Sequence, residues 1–227
     1  MFLRIYWLIS QNRNYHTKKI RFIFVGRDFN RKGGCEIIRA FNQLSKHRRD
    51  FEVLLIGRPK VVHNYAFKDF QDTEVEKREI EEIIATSKEW LIINKDIPND
   101  QVLKYIKISD IGLLPTWTET YGYSVLEFQA AGLPVISTNL RAMPEINPYG
   151  WRIELPLNWA CELGLHNEEE KKQRRSQIVN GIIDIANYLL DNPQEIIRRG
   201  QQSYEIVKEN HSYEKYANTF KDIYGQF

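Results

Sequence analysis

The 227-residue sequence predicts an α/β fold: one parallel sheet flanked by helices, with further helices at the carboxyl terminus. Three observations carry that expectation. Short β-rich apolar runs alternate with stretches of helical periodicity, the repeat that builds βα units. The runs are apolar almost throughout, as strands covered on both faces are. The last third shows helical patterning alone.

The first strand covers Ile20 to Gly26, and Gly33 to Ser45 then sets Ile37, Ile38, Phe41 and Leu44 on one face of a crossover helix. Val53 to Gly57 is the next strand. Pro59 to Asp72 is aromatic and irregular and reads as a long connection. Thr73-Glu74-Val75-Glu76 is a capping-box pattern opening a surface helix that runs to Glu89, with Ile80, Ile83 and Ile84 as its apolar stripe. Trp90 to Asn94, Asp110 to Pro115 and Pro134 to Thr138 are strands. Gln101 to Ile108, with Val102, Tyr105 and Ile106 on one face, and a stretch ending at Gly132 are the helices between them.

Trp151 to Leu155 reads as a last strand. The charge run Glu168 to Arg175 reads as a solvated helix face, with Glu168–Lys172 and Glu170–Arg174 in the favourable i, i+4 order. Helices follow from Ser176 to Leu190, from Pro193 to Glu209 and from Tyr213 to Tyr224. These divisions give one domain over 20–227, preceded by a tail or linker remnant over 1–19. Within that tail, aromatic Phe2 to Ile9 precedes Arg13, Lys18, Lys19 and Arg21, so peripheral contact with an anionic membrane is the alternative to a simple tail.

Composition narrows the function. A formal charge of +2 is too small for a nucleic-acid footprint. Cys35 and Cys161, far apart and in no ligand spacing, read as two buried free thiols in a reducing cytoplasm. The sequence holds no Asp-x-Asp, no His-Glu-x-x-His and no Cys/His cluster, so neither a metal nor another cofactor is expected.

Two loops carry chemistry. Gly26-Arg27-Asp28-Phe29-Asn30-Arg31-Lys32-Gly33-Gly34 joins a strand to a helix with a Gly pair and three cations, a turn suited to a diphosphate. It matches neither the Walker loop nor Gly-x-Gly-x-x-Gly, and Arg27 and Lys32 also fit as solvated loop charges. Glu119 and Glu127, with seven residues between them, flank the next such junction. Glu127 also fits a capping box, Ser124-Val125-Leu126-Glu127, whereas Glu119 lies in the loop outside the helix. In an open parallel sheet both loops emerge on one edge, so Arg27, Lys32, Glu119 and Gly122 are expected to converge.

Val25-Gly26-Arg27, Arg31-Lys32-Gly33, Ser109 to Pro115, the glutamate pair, Ala130-Ala131-Gly132-Leu133-Pro134-Val135-Ile136, Pro144-Glu145 and the Tyr213 helix resemble the carboxyl-terminal, Rossmann-like domain of retaining GT-B glycosyltransferases, family 4 (group 1). The resemblance implies a nucleotide-sugar donor site. In it Arg27 and Lys32 hold the leaving diphosphate, and Glu119 contacts the donor sugar. Backbone groups of Thr120, Tyr121 and Gly122 line sugar and phosphate, and Glu127 grips the ribose. Gly26 shapes the turn, and Asp96 and Ile97, in Lys95-Asp96-Ile97-Pro98, occupy the base position. It also implies retention of configuration by front-face transfer without a metal, and a role in polysaccharide assembly. The family's amino-terminal acceptor domain has no counterpart in this sequence. The chain is therefore expected to pair with a separate amino-terminal GT-B half, or else to be a truncated remnant or a nucleotide-sugar-binding or interaction module without catalysis.

Overall fold

The computed structural model describes residues 18–225. The expectations for Phe2 to Ile9 lie outside the described residues. Six strands, β1 (Ile20–Val25), β2 (Phe51–Ile56), β3 (Leu91–Asn94), β4 (Ile111–Leu114), β5 (Val135–Thr138) and β6 (Trp151–Ile153), form one sheet in the order β3-β2-β1-β4-β5-β6. Every pairing is parallel, with Phe22 opposite Val53 on one side of β1 and Ile111 on the other.

The pleat sends successive side chains to opposite faces, and each face finds its own cover. Phe22, Phe24, Val53, Leu55, Ile111 and Leu113 point to one side, where α1 (Gly34–Leu44), α2 (Glu74–Thr86) and α6 (Glu168–Asp191) supply Ile37, Phe41, Ile80, Ile178 and Ile182. Ile23, Leu54, Ile56 and Leu114 point to the other, against α3 (Asn99–Lys107), α4 (Tyr123–Ala130) and α5 (Met143–Ile146). Each fully buried Phe or Ile contributes about 1.5–3 kcal/mol, which makes two-sided burial the main source of stability. Two helices, α7 (Pro193–Asn210) and α8 (Tyr213–Tyr224), close the chain. Among the described residues no helix is long and apolar enough to cross a membrane.

The charge run departs from expectation. Glu168 to Arg175 is the start of the continuous helix α6, capped by Asn167, whose side chain accepts the Glu170 N–H. Lys171 is fully buried and Arg175 nearly so. Glu168 pairs with Lys171 at 2.8 Å, and Glu170 engages His166 first, with Arg174 a weaker coulombic neighbour. The cause is the irregular connection after β2. Its 3-10 turn, Tyr65–Phe67, drives Phe67 into the core edge-on to Trp117 at 4.7 Å, and Asp72 follows into the interior. Arg175 then bonds Asp72 and Glu76 and reaches Glu36 of α1 at 3.3 Å, while Lys171 stands 3.7 Å from Asp72 and Glu76. Two cations that would each be costly in isolation are matched by carboxylates from three segments.

α2 keeps the capping box that the sequence predicts, Thr73 Oγ1 accepting the Glu76 N–H while Glu76 accepts the Thr73 N–H. It is more than a surface helix, because Glu76 turns inward to Arg175, and the exposed Glu79 reaches Arg39 of α1. Cys35 is buried as expected, but Cys161 is exposed: it sits in a loop with φ of 57°, held by its carbonyl to the Arg141 N–H.

Burial alone would raise the Glu76 carboxyl, yet the Thr73 N–H, Arg175 and Lys171 bring it down to about 2 from an ordinary 4.5. A folded value below the unfolded one means the stabilisation is complete above about pH 4.5 and is lost as pH falls toward 2. Glu76→Gln, which can still close the capping box, is expected to lower unfolding free energy by about 1–2 kcal/mol at pH 7, a figure discounted for partial exposure. The deficit should shrink markedly at pH 3 in denaturant titrations. An equal deficit at both pH values would rule out the ionic explanation.

Candidate functional site

β1 and β4 are neighbours in the sheet, but the helices that follow them, α1 and α4, lie on opposite faces. Their loops therefore part at the carboxyl edge of the sheet and leave a crevice, the usual ligand position in such folds. The two loops are also fastened together below that crevice. Trp117 N–H donates to the Arg31 carbonyl at 2.9 Å, while Thr116 Oγ1, 3.2 Å from the same oxygen, has the Thr118 carbonyl closer at 2.7 Å. Gly33, at φ of 82°, rides so close to β4's loop that a Cβ there would overlap the Pro115 carbonyl oxygen.

Both helices begin with a left-handed glycine, Gly33 for α1 and Gly122 for α4, and neither has a side-chain cap. Their first-turn N–H groups and positive dipole ends thus face the crevice without a competing side-chain acceptor. Thr120 is exposed and Tyr121 partly buried on the loop leading to Gly122.

Lys32, Glu119 and Glu127 converge there. Lys32 Nζ lies 3.6 Å from Glu119 Oε2, an ion pair just beyond hydrogen-bond reach. Glu119 Oε1 accepts the Thr120 N–H at 3.0 Å, whereas Oε2 is shut off from solvent with no hydrogen-bond partner. Such an orphaned carboxylate oxygen costs about 1–3 kcal/mol or more until a donor reaches it. Glu127 stands on the exposed rim, yet protein crowds it enough that desolvation raises its carboxyl, with Lys32 pulling the other way.

Next to this cluster is a cavity of about 400 Å³ at the ends of β1, β2 and β3. Gly26, Arg27, Arg58, Asp96 and Ile97 line it, over an apolar floor that includes Ile56 and Val102. Gly26 joins the two parts: a Cβ there would lie 2.9 Å from Lys32 Cδ. The structure thus brings every sequence-predicted residue to one edge, with Arg27, Asp96 and Ile97 on the cavity wall and Lys32, Glu119 and Glu127 beside it.

Two differences stand out. The capping box at Ser124 does not form: Gly122 turns the chain first, so Ser124 is the second residue of α4 and its hydroxyl is buried without a partner. Glu127 is thereby released from a capping role. Arg58 was missed by the sequence reading, although Ile56-Gly57-Arg58 repeats Val25-Gly26-Arg27 one strand over. Its Nε bonds Asp96 Oδ1 and Oδ2 at 2.8 and 2.9 Å across the cavity mouth, which raises the guanidinium pKa further. His211, at the end of α7, likewise meets the loop by setting its ring edge-on to Tyr121 at 6.5 Å.

Comparison with known proteins agrees with this architecture. Residues 7–150 match the family model of Glycosyl transferases group 1. Over 125 residues the chain is 27% identical to the N-acetyl-alpha-D-glucosaminyl L-malate synthase of Bacillus anthracis, a match covering 55% of this chain and 28% of that enzyme. The C-terminal domain of the glycosyl transferase group 1 family protein LpcC from Francisella tularensis superposes with a TM-score of 0.62 at 20% identity, over 92% of each chain. Anabaena Alr3699/HepE, solved with UDP and glucose, gives 0.65 at 11% identity over 98% of this chain and 52% of its own. At these identities the structures share the fold.

Ser124→Ala tests the local reading of α4. Loss of a real N-cap costs about 1 kcal/mol, whereas removing a buried hydroxyl with no partner is neutral or stabilising. The melting temperature of Ser124→Ala is expected to equal or exceed that of the parent, and a drop of several degrees would restore the capping box.

Proposed function

The chain belongs to the glycosyl transferases group 1 family, and from that premise we propose that it is the donor-binding half of a family 4 GT-B glycosyltransferase, taking a nucleoside diphosphate sugar. The observation that carries the proposal is the Lys32–Glu119 pair, 3.6 Å apart at the open ends of two uncapped helices. An anion-binding crevice with one desolvated carboxylate calls for a ligand that brings phosphate and hydroxyl donors together.

In this reading Lys32 and Arg27 take the diphosphate, Glu119 accepts from the sugar hydroxyls, and Glu127 accepts from the ribose. The backbone of Thr120, Tyr121 and Gly122 lines sugar and phosphate, and the cavity beside Asp96 and Ile97 takes the base. As the anomeric C–O bond breaks, negative charge grows on the departing β-phosphate, and the two cations and the helix ends stabilise it where it develops. The acceptor hydroxyl attacks from the same face and passes its proton to a leaving phosphate oxygen, so configuration is retained. Charge neutralisation by side chains and helix ends supports a reaction without a metal. The acceptor would be held by an amino-terminal half, in keeping with a sequence that spans 52% or less of several relatives. Orienting it against the anomeric carbon contributes several kcal/mol of barrier lowering.

Titration calorimetry against a panel of nucleotide sugars tests the reading, and absence of binding at millimolar ligand would sink it. Lys32→Ala is expected to weaken a bare nucleoside diphosphate about tenfold or more, the loss of one charge-assisted hydrogen bond. Glu119→Ala should weaken only the sugar-bearing form, so equal losses for both ligands would contradict the assignment. With no cap to lose, Glu127→Gln should reduce binding while leaving the melting temperature unchanged, and the opposite pattern would make Glu127 structural.

A further inference from the structure

The geometry points to guanine as the base of the donor, read by the side chains of Arg58 and Asp96. This rests on the donor-site reading and goes beyond it, since that reading leaves the base open. Both residues line the 400 Å³ cavity, and they are bound to each other through Arg58 Nε alone among the guanidinium nitrogens that donate here. A guanidinium carries five N–H donors, so the two Nη groups keep four for a ligand. Each Asp96 oxygen likewise keeps acceptor capacity beyond the bond to Nε.

The couple therefore offers two donor nitrogens beside two acceptor oxygens. Guanine is the base whose edge runs acceptor, acceptor, donor, donor: N7 and O6, then N1–H and N2–H. Arginine pairs with N7 and O6 in a bidentate fork, and a carboxylate suits adjacent N–H groups. Uracil runs O4, N3–H, O2 and would set O2 against the Asp96 carboxylate. Adenine would set N1 against it in the same way. Cytosine, turned over, gives O2 and N3 to Arg58 and N4–H to Asp96, which ranks it second. The apolar floor of Ile56, Ile97 and Val102 suits the face of a flat ring.

Asp96 has φ of 54°, a conformation that Asn tolerates as well as Asp, so Asp96→Asn keeps the fold while replacing one of two acceptors by a donor. Titration calorimetry of the chain and of Asp96→Asn against GDP, CDP, UDP and ADP tests the assignment. The parent is expected to bind GDP about tenfold tighter than UDP or ADP, with CDP between, one bidentate contact's worth of discrimination. Asp96→Asn should weaken GDP about tenfold and leave UDP within twofold. UDP or ADP binding as tightly as GDP in the parent, or a GDP-to-UDP ratio unchanged in Asp96→Asn, overturns the base assignment. If those equal affinities still fall in Lys32→Ala, the donor site stands and only the base is wrong; if none of the four nucleotides binds, the donor site itself falls.

Discussion

The rest of the site depends on one close approach, the Gly33 backbone against the Pro115 carbonyl. β1 and β4 are adjacent in the sheet, so their loops must start together, yet α1 and α4 cover opposite faces and their loops must part. A glycine at φ of 82° allows the first loop to turn into α1 without meeting β4's loop, and the Arg31 carbonyl, taken by the Trp117 N–H, locks the two at that point. Everything beyond the lock opens outward. Lys32 precedes it by one residue and Glu119 follows it by a few, which is why residues 87 apart in sequence form one ion pair.

The buried ionic cluster supports the same junction from behind. Glu36, in the first turn of α1, is completely buried and held at 3.3 Å by Arg175 of α6, with Arg39 3.7 Å away. That carboxylate sits at the positive end of its own helix, a favourable place for it, and it ties that end to α6. The helix whose amino terminus faces the crevice is thus fixed within one turn of the ligand position. Lys171 and Arg175, themselves near the Phe67 ring at 5.5 and 5.8 Å, link this anchor to the connection after β2 and so to Trp117 in the second loop.

The fold was legible because two-sided burial leaves a strong signature: continuous apolar runs at the strands and one-sided stripes at the helices. The glutamate and lysine positions were legible for a related reason, since a loop after a buried strand can lead only to one edge of the sheet. What was hidden depended on segments without periodicity. Nothing in Glu168 to Arg175 says that Phe67 and Asp72 will come underneath, so two buried cations look like solvent-facing ones. Ser124 is a good cap by type, but Gly122 turns the chain two residues earlier, and backbone geometry outranks side-chain preference there. Arg58 was within reach, because the Gly-Arg step after β1 recurs after β2. The stretch that follows it has no pattern to mark it as part of the site.

The crevice holds a carboxylate in a place otherwise arranged for an anion, and that opposition is informative about selectivity. A site built for phosphate alone gains nothing from Glu119, whose charge offsets part of Lys32's field at 3.6 Å. A site built for a neutral sugar gains little from Lys32 and two uncapped helix ends. Under the donor reading each defect is the other's reason. Lys32 has donors to share with a diphosphate, and Glu119 has acceptor capacity to share with a hydroxyl that arrives with it. Free phosphate brings the carboxylate no hydroxyl donor, and free sugar leaves the cation and helix ends without their anion. Discrimination against each fragment then comes from the polar group it fails to satisfy, which is how buried polar sites reject partial ligands.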